Sequence, residues 1–176
     1  QNHKSSTPES RPEAESADTD YMTIDSTDAL KSLSQELKKT GYLAVSVGSS
    51  NNNVAASNIT GIALSSGAGK AFYIPAASEI PDDKRIPLDR VIDAVKPVLE
   101  DSRIPKYFHN AKNDLILLHR SGADARNFSF DTMLAAYLLG DKALSLKDVV
   151  FDRLKIEMTP SSSLTGKGAK QISLFN

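Results

Sequence analysis

The sequence predicts a mixed α/β fold, in which helices flank a sheet that contains both antiparallel and parallel strands. Three apolar runs follow one another closely between residues 42 and 75, which indicates an antiparallel meander. After residue 88, segments with helical periodicity alternate with short apolar strands, an order typical of parallel crossovers. The chain has 176 residues, of which 40% are hydrophobic, enough for one domain with a real core.

The first twenty residues differ in composition from the rest. The segment "QNHKSSTPESRPEAESADTD" has no branched aliphatic or aromatic residue, so it cannot recover the entropy lost on ordering. Its two basic and five acidic side chains sum to -3, which leaves +2 for the other residues of a chain whose formal charge is -1. We expect residues 1–20 to form a disordered linker or tail, and a chain with this charge is not a strongly basic nucleic-acid binder.

Several features of the sequence bear on the cellular compartment of the protein. The sequence has no cysteine, which excludes disulfides and thiolate metal sites, and it has no apolar run of about 18 residues or apolar leader. A cytoplasmic protein without a membrane partner is therefore expected. The chain begins with Gln and stops at the apolar stretch "QISLFN", so we expect it to be a piece of a longer protein.

The first half contains one helix and four strands. After a strand "YMTI" (21–24), Asp25, Ser26 or Thr27 can cap a helix that Gly41 would end. The apolar face of this helix is formed by three leucines, Leu30, Leu33 and Leu37. The meander strands are "YLAVSV" (42–47), "ITGIAL" (59–64) and "KAFYIP" (70–75), the last two joined by a glycine-rich turn.

The second half alternates helices with short strands. A helix from Leu88 carries an apolar stripe formed by Val91, Ile92, Val95, Val98 and Leu99. Pro97 should kink or restart this helix. The strand "KYFH" (106–109) precedes a helix from Ala111 to Ser121, which Gly122 would end. Four consecutive apolar residues, 115–118, predict that this helix is deeply packed.

The last elements are predicted from capping residues. Asp131 follows the strand "FSF" (128–130) and can cap an apolar helix, "TMLAAYLLG", that ends at Gly140. Ser145 begins a final helix, "LKDVVFDRLK".

The sequence offers few candidates for catalytic or metal-binding residues. Asn110 and Asp114 are spaced i, i+4 at a helix start, which fits either a metal-binding carboxylate with an amide neighbour or a capping Asn with a solvated Asp. His109 and His119 are ten residues apart and lie at opposite ends of one helix, so they form no metal pair. No serine occurs in a nucleophile-elbow context with a paired His.

Two glycine-rich segments resemble phosphate-binding loops only in part. "SSGAGKA" (65–71) has Leu64 where the loop needs its first Gly and Ala71 where it needs Ser or Thr, so a hairpin turn is favoured. "TGKGAKQ" (165–171) could contact a phosphate backbone through Lys167 and Lys170 or form a solvated loop.

The segment "NAKNDLILLHRSGADARNFSFDTMLAAYLLG" (110–140) resembles the 3′-5′ exonuclease domain of bacterial DNA polymerase I, a family A polymerase. It matches the family's N-x-x-x-D motif and the helix downstream. "VKPVLED" (95–101), "GIAL…AFYIP" and "TGKGAKQ" extend the likeness over residues 21–176. The resemblance implies an RNase H-like fold with a mixed five-stranded sheet, and in active members hydrolysis of phosphodiesters by two divalent metals.

Active members of the family place D-x-E at the end of the first strand of this sheet, and a further acid in a Y-x-x-x-D motif. The resemblance puts Ser46 and Gly48 at the D-x-E positions, and the third motif would lie beyond Asn176. Two dications about 4 Å apart repel by roughly 17 kcal/mol at an effective dielectric near 20, and several carboxylates must offset this. Asp114 alone cannot offset this repulsion. The Ser46 hydroxyl is neutral and Gly48 has no side chain, so neither adds a negative charge.

We therefore expect a vestigial site, made of Ser46, Gly48, Asn110 and Asp114, with no intact catalytic residue and no metal bound by this domain. No Asp or Glu lies between Gly41 and Lys70 to replace the missing pair.

The resemblance also bears on DNA contacts. Lys112, Asn113, Lys167 and Lys170 are the candidates for contacts with the DNA backbone. Asn113 stands where the best-known members have an aromatic residue. Ser161 stands near the family's base-stacking aromatic and offers no ring to stack on.

The function expected is that of a degenerate exonuclease domain that hydrolyses nothing and supports the polymerase domain of the same protein. The parent would be a nucleotidyltransferase of DNA replication and repair that copies DNA with magnesium and deoxynucleotides. Two alternatives stay open. One is a residually active metal-dependent proofreading exonuclease, and the other is a non-catalytic module that binds single-stranded DNA or a protein.

Overall fold

A computed structural model of the chain describes residues 19–51, 53–77 and 85–159. These residues form one sheet with helices packed against it. The strands are β1 (Asp20–Thr23), β2 (Leu43–Ser49), β3 (Ile59–Gly67), β4 (Lys70–Ala77), β5 (Ile86–Pro87), β6 (Lys106–Phe108) and β7 (Phe128–Asp131). The helices are α1 (Thr27–Leu37), α2 (Leu88–Leu99), α3 (Ala111–Arg120), α4 (Thr132–Leu138) and α5 (Leu146–Leu154).

The strands are ordered β1-β4-β3-β2-β6-β7, and β5 pairs with β4. The β2-β3 and β3-β4 pairs are antiparallel, whereas β1, β5, β6 and β7 each run parallel to the strand that they join. The predicted mixed sheet, a meander continued by parallel crossovers, is confirmed. It contains seven strands in the described residues rather than the expected five. The two residues of β5 are too few to produce a sequence pattern, and β1 joins the sheet only through β4.

The core lies between one face of the sheet and the helices. Leu30, Leu33 and Leu37 of α1 are buried, and so is the predicted stripe of α2 formed by Val91, Ile92, Val95, Val98 and Leu99. In β2, Leu43, Val45 and Val47 point into this core, while Ser46 lies on the opposite face. The alternation of β2 therefore decides which of its side chains face the core and which remain on the outer face.

Most predicted helix ends are confirmed. The Ser26 hydroxyl accepts a hydrogen bond from the Ala29 N–H at 3.3 Å and caps α1. Ser145 caps α5, and Asp131 caps α4. Gly122 and Gly140 follow α3 and α4 with φ of +89° and +83°, a conformation that glycine adopts without a steric penalty.

Three local predictions are wrong. Helix α1 ends at Leu37, four residues before Gly41, because the chain must leave the helix early to enter β2. Helix α2 does not restart at Pro97 but continues through it to Leu99, and the proline removes from the helix the one backbone N–H bond that its own nitrogen would have made. Ile116 of α3 is exposed, because only one side of this helix packs on β2 and the core.

Some predictions concern residues outside the described ranges, namely the linker up to Asp18, Ser161, Lys167 and Lys170. The expected linker included Asp20, which the structure places in the sheet. Asp20 belongs to β1, where it pairs with Lys70 and donates its N–H to the Gly69 carbonyl at 2.8 Å. A search of the described helices found none with the length and apolar character needed to span a membrane.

Candidate functional site

Strand β2 extends beyond its parallel neighbour β6. The two strands pair only at Leu43 and Ala44, so the N–H of Val47 on this side has no strand partner. Asp114 supplies one, because its Oδ2 accepts a hydrogen bond from the Val47 N–H at 3.1 Å. The first turn of α3 therefore lies beside β2, as the sequence predicted.

The two positions at which the family resemblance places D-x-E lie on the outer face of β2. Ser46 is exposed and pairs with Ala63 of β3, and Gly48 pairs with Gly61. A Cβ atom at Gly48 would lie 2.9 Å from the hydroxyl oxygen of Thr60. The space beside Gly48 is therefore already partly filled by a neighbouring side chain.

Gly61 is more tightly enclosed than Gly48. A Cβ atom at Gly61 would lie 2.5 Å from the Tyr73 hydroxyl and 2.7 Å from the ring carbon that bears it. The Tyr73 ring thus packs directly over the backbone of β3, and burial raises the pKa of its hydroxyl. This close contact explains the glycine at position 61.

Asp131 holds the starts of two helices. Its Oδ1 accepts hydrogen bonds from the N–H groups of Met133 at 2.8 Å and Leu134 at 3.3 Å, both in α4. The same carboxylate accepts from the N–H of Asn110 at 3.1 Å and of Ala111 at 2.8 Å, where α3 begins. The sequence indicated only the α4 cap. Strands β6 and β7 are parallel neighbours, so the helices that follow them begin at one edge of the sheet.

The structure does not match the interpretation of Asn110 as a cap and Asp114 as a solvated side chain. Asn110 occupies the N-cap position of α3 with φ of +61°, and its side chain makes no capping hydrogen bond. The cap comes from Asp131 instead, so the prediction of a capping Asn is wrong. The prediction of a solvated Asp is also wrong, because Asp114 is half-buried and bonded to β2.

The two carboxylates have opposite electrostatic environments. Burial raises the pKa of Asp114 to about 6; the Val47 N–H opposes this rise and the nearby charge of Asp131 adds to it. Burial also acts to raise the pKa of Asp131, but its four backbone N–H donors outweigh this and hold the pKa below its ordinary value. Asp131 is therefore ionised near neutral pH, and Asp114 loses its proton only as the pH rises through about 6.

A cavity of about 350 Å³ lies against the outer face of the sheet beside Ser46. Its lining is mostly apolar and includes Ala63, Tyr107, His109 and Thr132. The His109 Nδ1 lies 2.8 Å from the Thr132 hydroxyl, which itself donates to the Phe108 carbonyl. None of the described residues that line this cavity is Lys or Arg, so its lining carries no permanent positive charge.

The other predicted positions lie around the start of α3. Lys112 is exposed and Asn113 is half-buried in the first turn of this helix. His119, at the far end of α3, pairs with Asp124 at 2.8 Å. Across residues 19–51, 53–77 and 85–159, no group of three or more His, Cys, Asp or Glu side chains could hold a metal ion.

Residues 21–174 match the family of DNA polymerase A exonuclease domains, described as 3′-5′ exonuclease. DNA polymerase I of Chloroflexus aurantiacus is 33% identical to this chain over 169 residues. That alignment includes 94% of this chain and 18% of the polymerase, so the chain spans about a fifth of the length of this relative.

Solved structures share the fold. The catalytic core of RRP6 from Trypanosoma brucei has a TM-score of 0.65 at 16% identity, over 89% of this chain and 42% of that one. Brucella melitensis NrnC with bound Mg²⁺ has a TM-score of 0.60 at 18% identity, over 81% of this chain and 65% of that one. These similarities identify the mixed sheet as RNase H-like, as the family resemblance implied. The chain belongs to the 3′-5′ exonuclease domain family of the family A DNA polymerases.

Proposed function

We propose that this chain is a 3′-5′ exonuclease-like domain of a DNA polymerase I that no longer hydrolyses DNA and serves as a structural platform for the polymerase domain. One observation carries the proposal: at the outer end of β2, where metal-binding carboxylates are expected, the side chains are the Ser46 hydroxyl and the hydrogen of Gly48. Asp114 is the carboxylate beside them, and one of its oxygens already bonds to Val47.

The donor set does not fit a pair of divalent ions. Mg²⁺ prefers anionic oxygen ligands, and two such ions held about 4 Å apart repel by roughly 17 kcal/mol at an effective dielectric near 20. The Ser46 hydroxyl brings no charge. Asp131 is turned to the N–H groups of α3 and α4, which occupy both of its oxygens. One half-buried carboxylate cannot offset the repulsion of two dications.

Asp114 has a structural contact of its own. Burial raises its pKa to about 6, and its Oδ2 accepts a hydrogen bond from the Val47 N–H at 3.1 Å. The residue acts here as a hydrogen-bond acceptor that closes the free edge of β2, a role that needs no ion.

A relative of the same fold, NrnC, carries Mg²⁺. We propose no such ion for this domain, because its candidate ligands lack the negative charges that Mg²⁺ requires. The metal of the parent belongs to its polymerase domain, where Mg²⁺ and deoxynucleotides would serve DNA synthesis in replication and repair.

Contacts between this domain and DNA are limited to the backbone of the duplex. Lys112 and Asn113 lie in the first turn of α3 and can reach phosphates, and Lys167 and Lys170 are further candidates. Residues 1–20 would connect the domain to an upstream part of the parent, which acts in the cytoplasm. The cavity beside Ser46 lacks Lys and Arg in its described lining, which does not favour a site for single-stranded DNA.

The test is a nuclease assay on the full-length parent. A 3′-labelled single strand is incubated with Mg²⁺ or Mn²⁺ and without nucleotides, and template-directed synthesis by the same preparation serves as the control for folding. We expect synthesis without shortening of the labelled strand. Shortening that is lost in Asp114→Asn, which keeps an oxygen to accept the Val47 N–H, would establish residual proofreading and overturn the proposal.

A further inference from the structure

The outer face of the sheet carries small side chains where β2, β3 and β4 lie side by side. Ala44, Ala63 and Ala71, one from each strand, line the cavity of about 350 Å³ described above. Their neighbours in β3 and β4, Ile62 and Phe72, point the other way and are buried in the core. In packed layers, small side chains on one surface are matched by larger ones on the surface that covers it. The cavity therefore has the form of a space for large side chains.

Several polar side chains of the cavity already have partners within the protein. The Ser65 hydroxyl lies 3.0 Å from the Gly67 carbonyl and 2.8 Å from the Lys70 carbonyl. The imidazole of His109 is bonded to the Thr132 hydroxyl. None of the described residues that line the cavity is Asp, Glu, Lys or Arg. This lining favours an uncharged, apolar occupant over a nucleic acid strand or a charged small molecule.

The stretch "QISLFN" (171–176) has the composition that the cavity requires. It belongs to residues 160–176, which lie outside the described ranges, and it carries Ile172, Leu174 and Phe175 without a charged residue. An engineered apolar cavity of about 150 Å³ holds one benzene molecule. A cavity of about 350 Å³ therefore has room for about two side chains of similar size.

The chain is long enough to bring this stretch back to the cavity. Leu146, the first residue of α5, itself lines the cavity. The nine residues of α5 rise by about 13 Å, and residues 155–159 add at most about 18 Å. Residues 160–171 can span about 40 Å when they are extended. Residues 171–176 can thus reach the cavity whatever direction the chain takes after α5.

We propose that residues 171–176 of this chain dock in the cavity beside Ser46, with Leu174 and Phe175 packed against the small residues of the sheet. A segment tethered this close is present at an effective concentration in the millimolar range, which favours it over a separate molecule. The inference rests on the proposed function, because only a cleft that admits no substrate strand can remain filled in this way. The chain itself then occupies the place beside the vestigial site.

The experiment uses thiol labelling of the full-length parent, because this chain has no cysteine. Ala63→Cys places a thiol in the cavity, and Ser32→Cys places one on the exposed side of α1, which packs on the opposite face of the sheet. We expect Ala63→Cys to react with a maleimide about tenfold or more slowly than Ser32→Cys. Ala71→Cys repeats the measurement at a second position of the lining, and template-directed synthesis confirms that each variant is folded.

Charges in the segment test which part of the polypeptide shields the thiol. Leu174→Glu combined with Phe175→Glu should raise the labelling rate at Ala63→Cys about tenfold, because two carboxylates do not enter an apolar cavity. The matched control, Ser162→Glu combined with Ser163→Glu, adds the same charge outside the stretch and should leave the rate unchanged. A thiol that is shielded equally in both double variants would be covered by another part of the parent, which overturns the inference.

Cross-linking tests the contact itself. A short bifunctional thiol reagent should join Ala63→Cys to Leu174→Cys within one polypeptide, at least tenfold more efficiently than it joins Ser32→Cys to Leu174→Cys, with the link located by mass spectrometry. Equal yields would overturn the inference. Links between two polypeptides that increase with protein concentration would assign the cavity to a second copy, and shielding of Ala63→Cys that requires added single-stranded DNA would assign it to a strand. Either result overturns the inference.

The nuclease assay is run separately on the unsubstituted parent. Shortening of the labelled strand bears on the proposed loss of hydrolysis, whereas labelling and cross-linking are measured without DNA and report only what fills the cavity. The two failures are therefore distinguishable.

Discussion

The carboxylate of Asp114 accepts a hydrogen bond from the backbone N–H of Val47 at 3.1 Å, across 67 positions of sequence. This contact joins the first turn of α3 to the part of β2 that extends beyond β6. It gives the acid of an N-x-x-x-D motif a structural role that remains when the carboxylates of D-x-E are absent. The consequences for stability are measurable without any metal or DNA.

Asp114→Asn should stabilise the chain at alkaline pH. The pKa of Asp114 is about 6 in the folded chain against 3.8 for an ordinary Asp, so the folded state binds more protons than the unfolded state between these values. The free energy of unfolding therefore falls as the pH rises from about 4 to about 6. After a discount for partial exposure, the loss is about 1–2 kcal/mol, and Asn, which is neutral at every pH, should avoid it.

Urea unfolding at pH 4 and pH 8 checks this expectation. Asp114→Leu is the control, because it also removes the charge but leaves the Val47 N–H without its acceptor, at a cost of about 1–3 kcal/mol. If Asp114→Asn is less stable than the original chain at pH 8, the carboxylate must be stabilised in its charged form, and the structural role described here is contradicted.

Asp131→Ala should be more destabilising than the loss of an ordinary helix cap. One carboxylate serves the N–H groups of both α3 and α4, whereas an ordinary cap serves one helix. Loss of a single cap costs about 0.5–2 kcal/mol, so we expect about 3 kcal/mol here, because two caps and charge-assisted bonds are removed. Ser145→Ala, which removes the cap of α5 alone, is the matched control.

The comparison is made by denaturant midpoints of the two variants in one buffer at neutral pH. The pKa of Asp131 is lowered in the folded chain, so its contribution is present above the pKa of an unfolded Asp and is lost as the pH falls. Equal destabilisation by Asp131→Ala and Ser145→Ala would show that the carboxylate supports only one helix.

Gly61→Ala should be more destabilising than Gly48→Ala, although the two glycines are direct partners across β2 and β3. At Gly61 the new methyl group meets the Tyr73 hydroxyl at 2.5 Å and the ring carbon that bears it at 2.7 Å, which forces this half-buried side chain to move and costs about 2–3 kcal/mol. At Gly48 the one contact under 3 Å is with the Thr60 hydroxyl at 2.9 Å, and the Gly61 backbone lies at ordinary contact distances of 3.4 Å and 3.6 Å, so about 1 kcal/mol is expected.

A double-mutant cycle with Thr60→Ala tests the second contact. Removal of the Thr60 hydroxyl should recover most of the stability lost in Gly48→Ala and none of that lost in Gly61→Ala. Additive effects of Gly48→Ala and Thr60→Ala would mean that the two positions do not compete for space.

The sequence predicted the elements whose patterns are local. The period of the leucines in α1 and of the valines in α2 located the core, and Ser26, Asp131 and Ser145 marked the helix starts. These features depend on residues a few positions apart. Capping and amphipathicity act within one or two turns, so they are visible in a single chain.

The sequence did not predict contacts that depend on strand register. Nothing near Asp131 indicates that it also holds the start of α3, because that contact requires β6 and β7 to be parallel neighbours. The Asp114–Val47 bond similarly depends on how far β2 extends past β6. Burial of α3 was overestimated from its four consecutive apolar residues, because composition does not say which side of a helix meets a sheet.

The measurement that bears most directly on the central claim is the location of manganese in crystals of the full-length parent. Crystals soaked in Mn²⁺ are examined by anomalous scattering, and ions bound at the polymerase domain act as the internal control. We expect no pair of ordered ions beside Asp114, Ser46 and Gly48, because a single partly buried carboxylate cannot hold two dications together. Two manganese ions about 4 Å apart at this position would contradict the account.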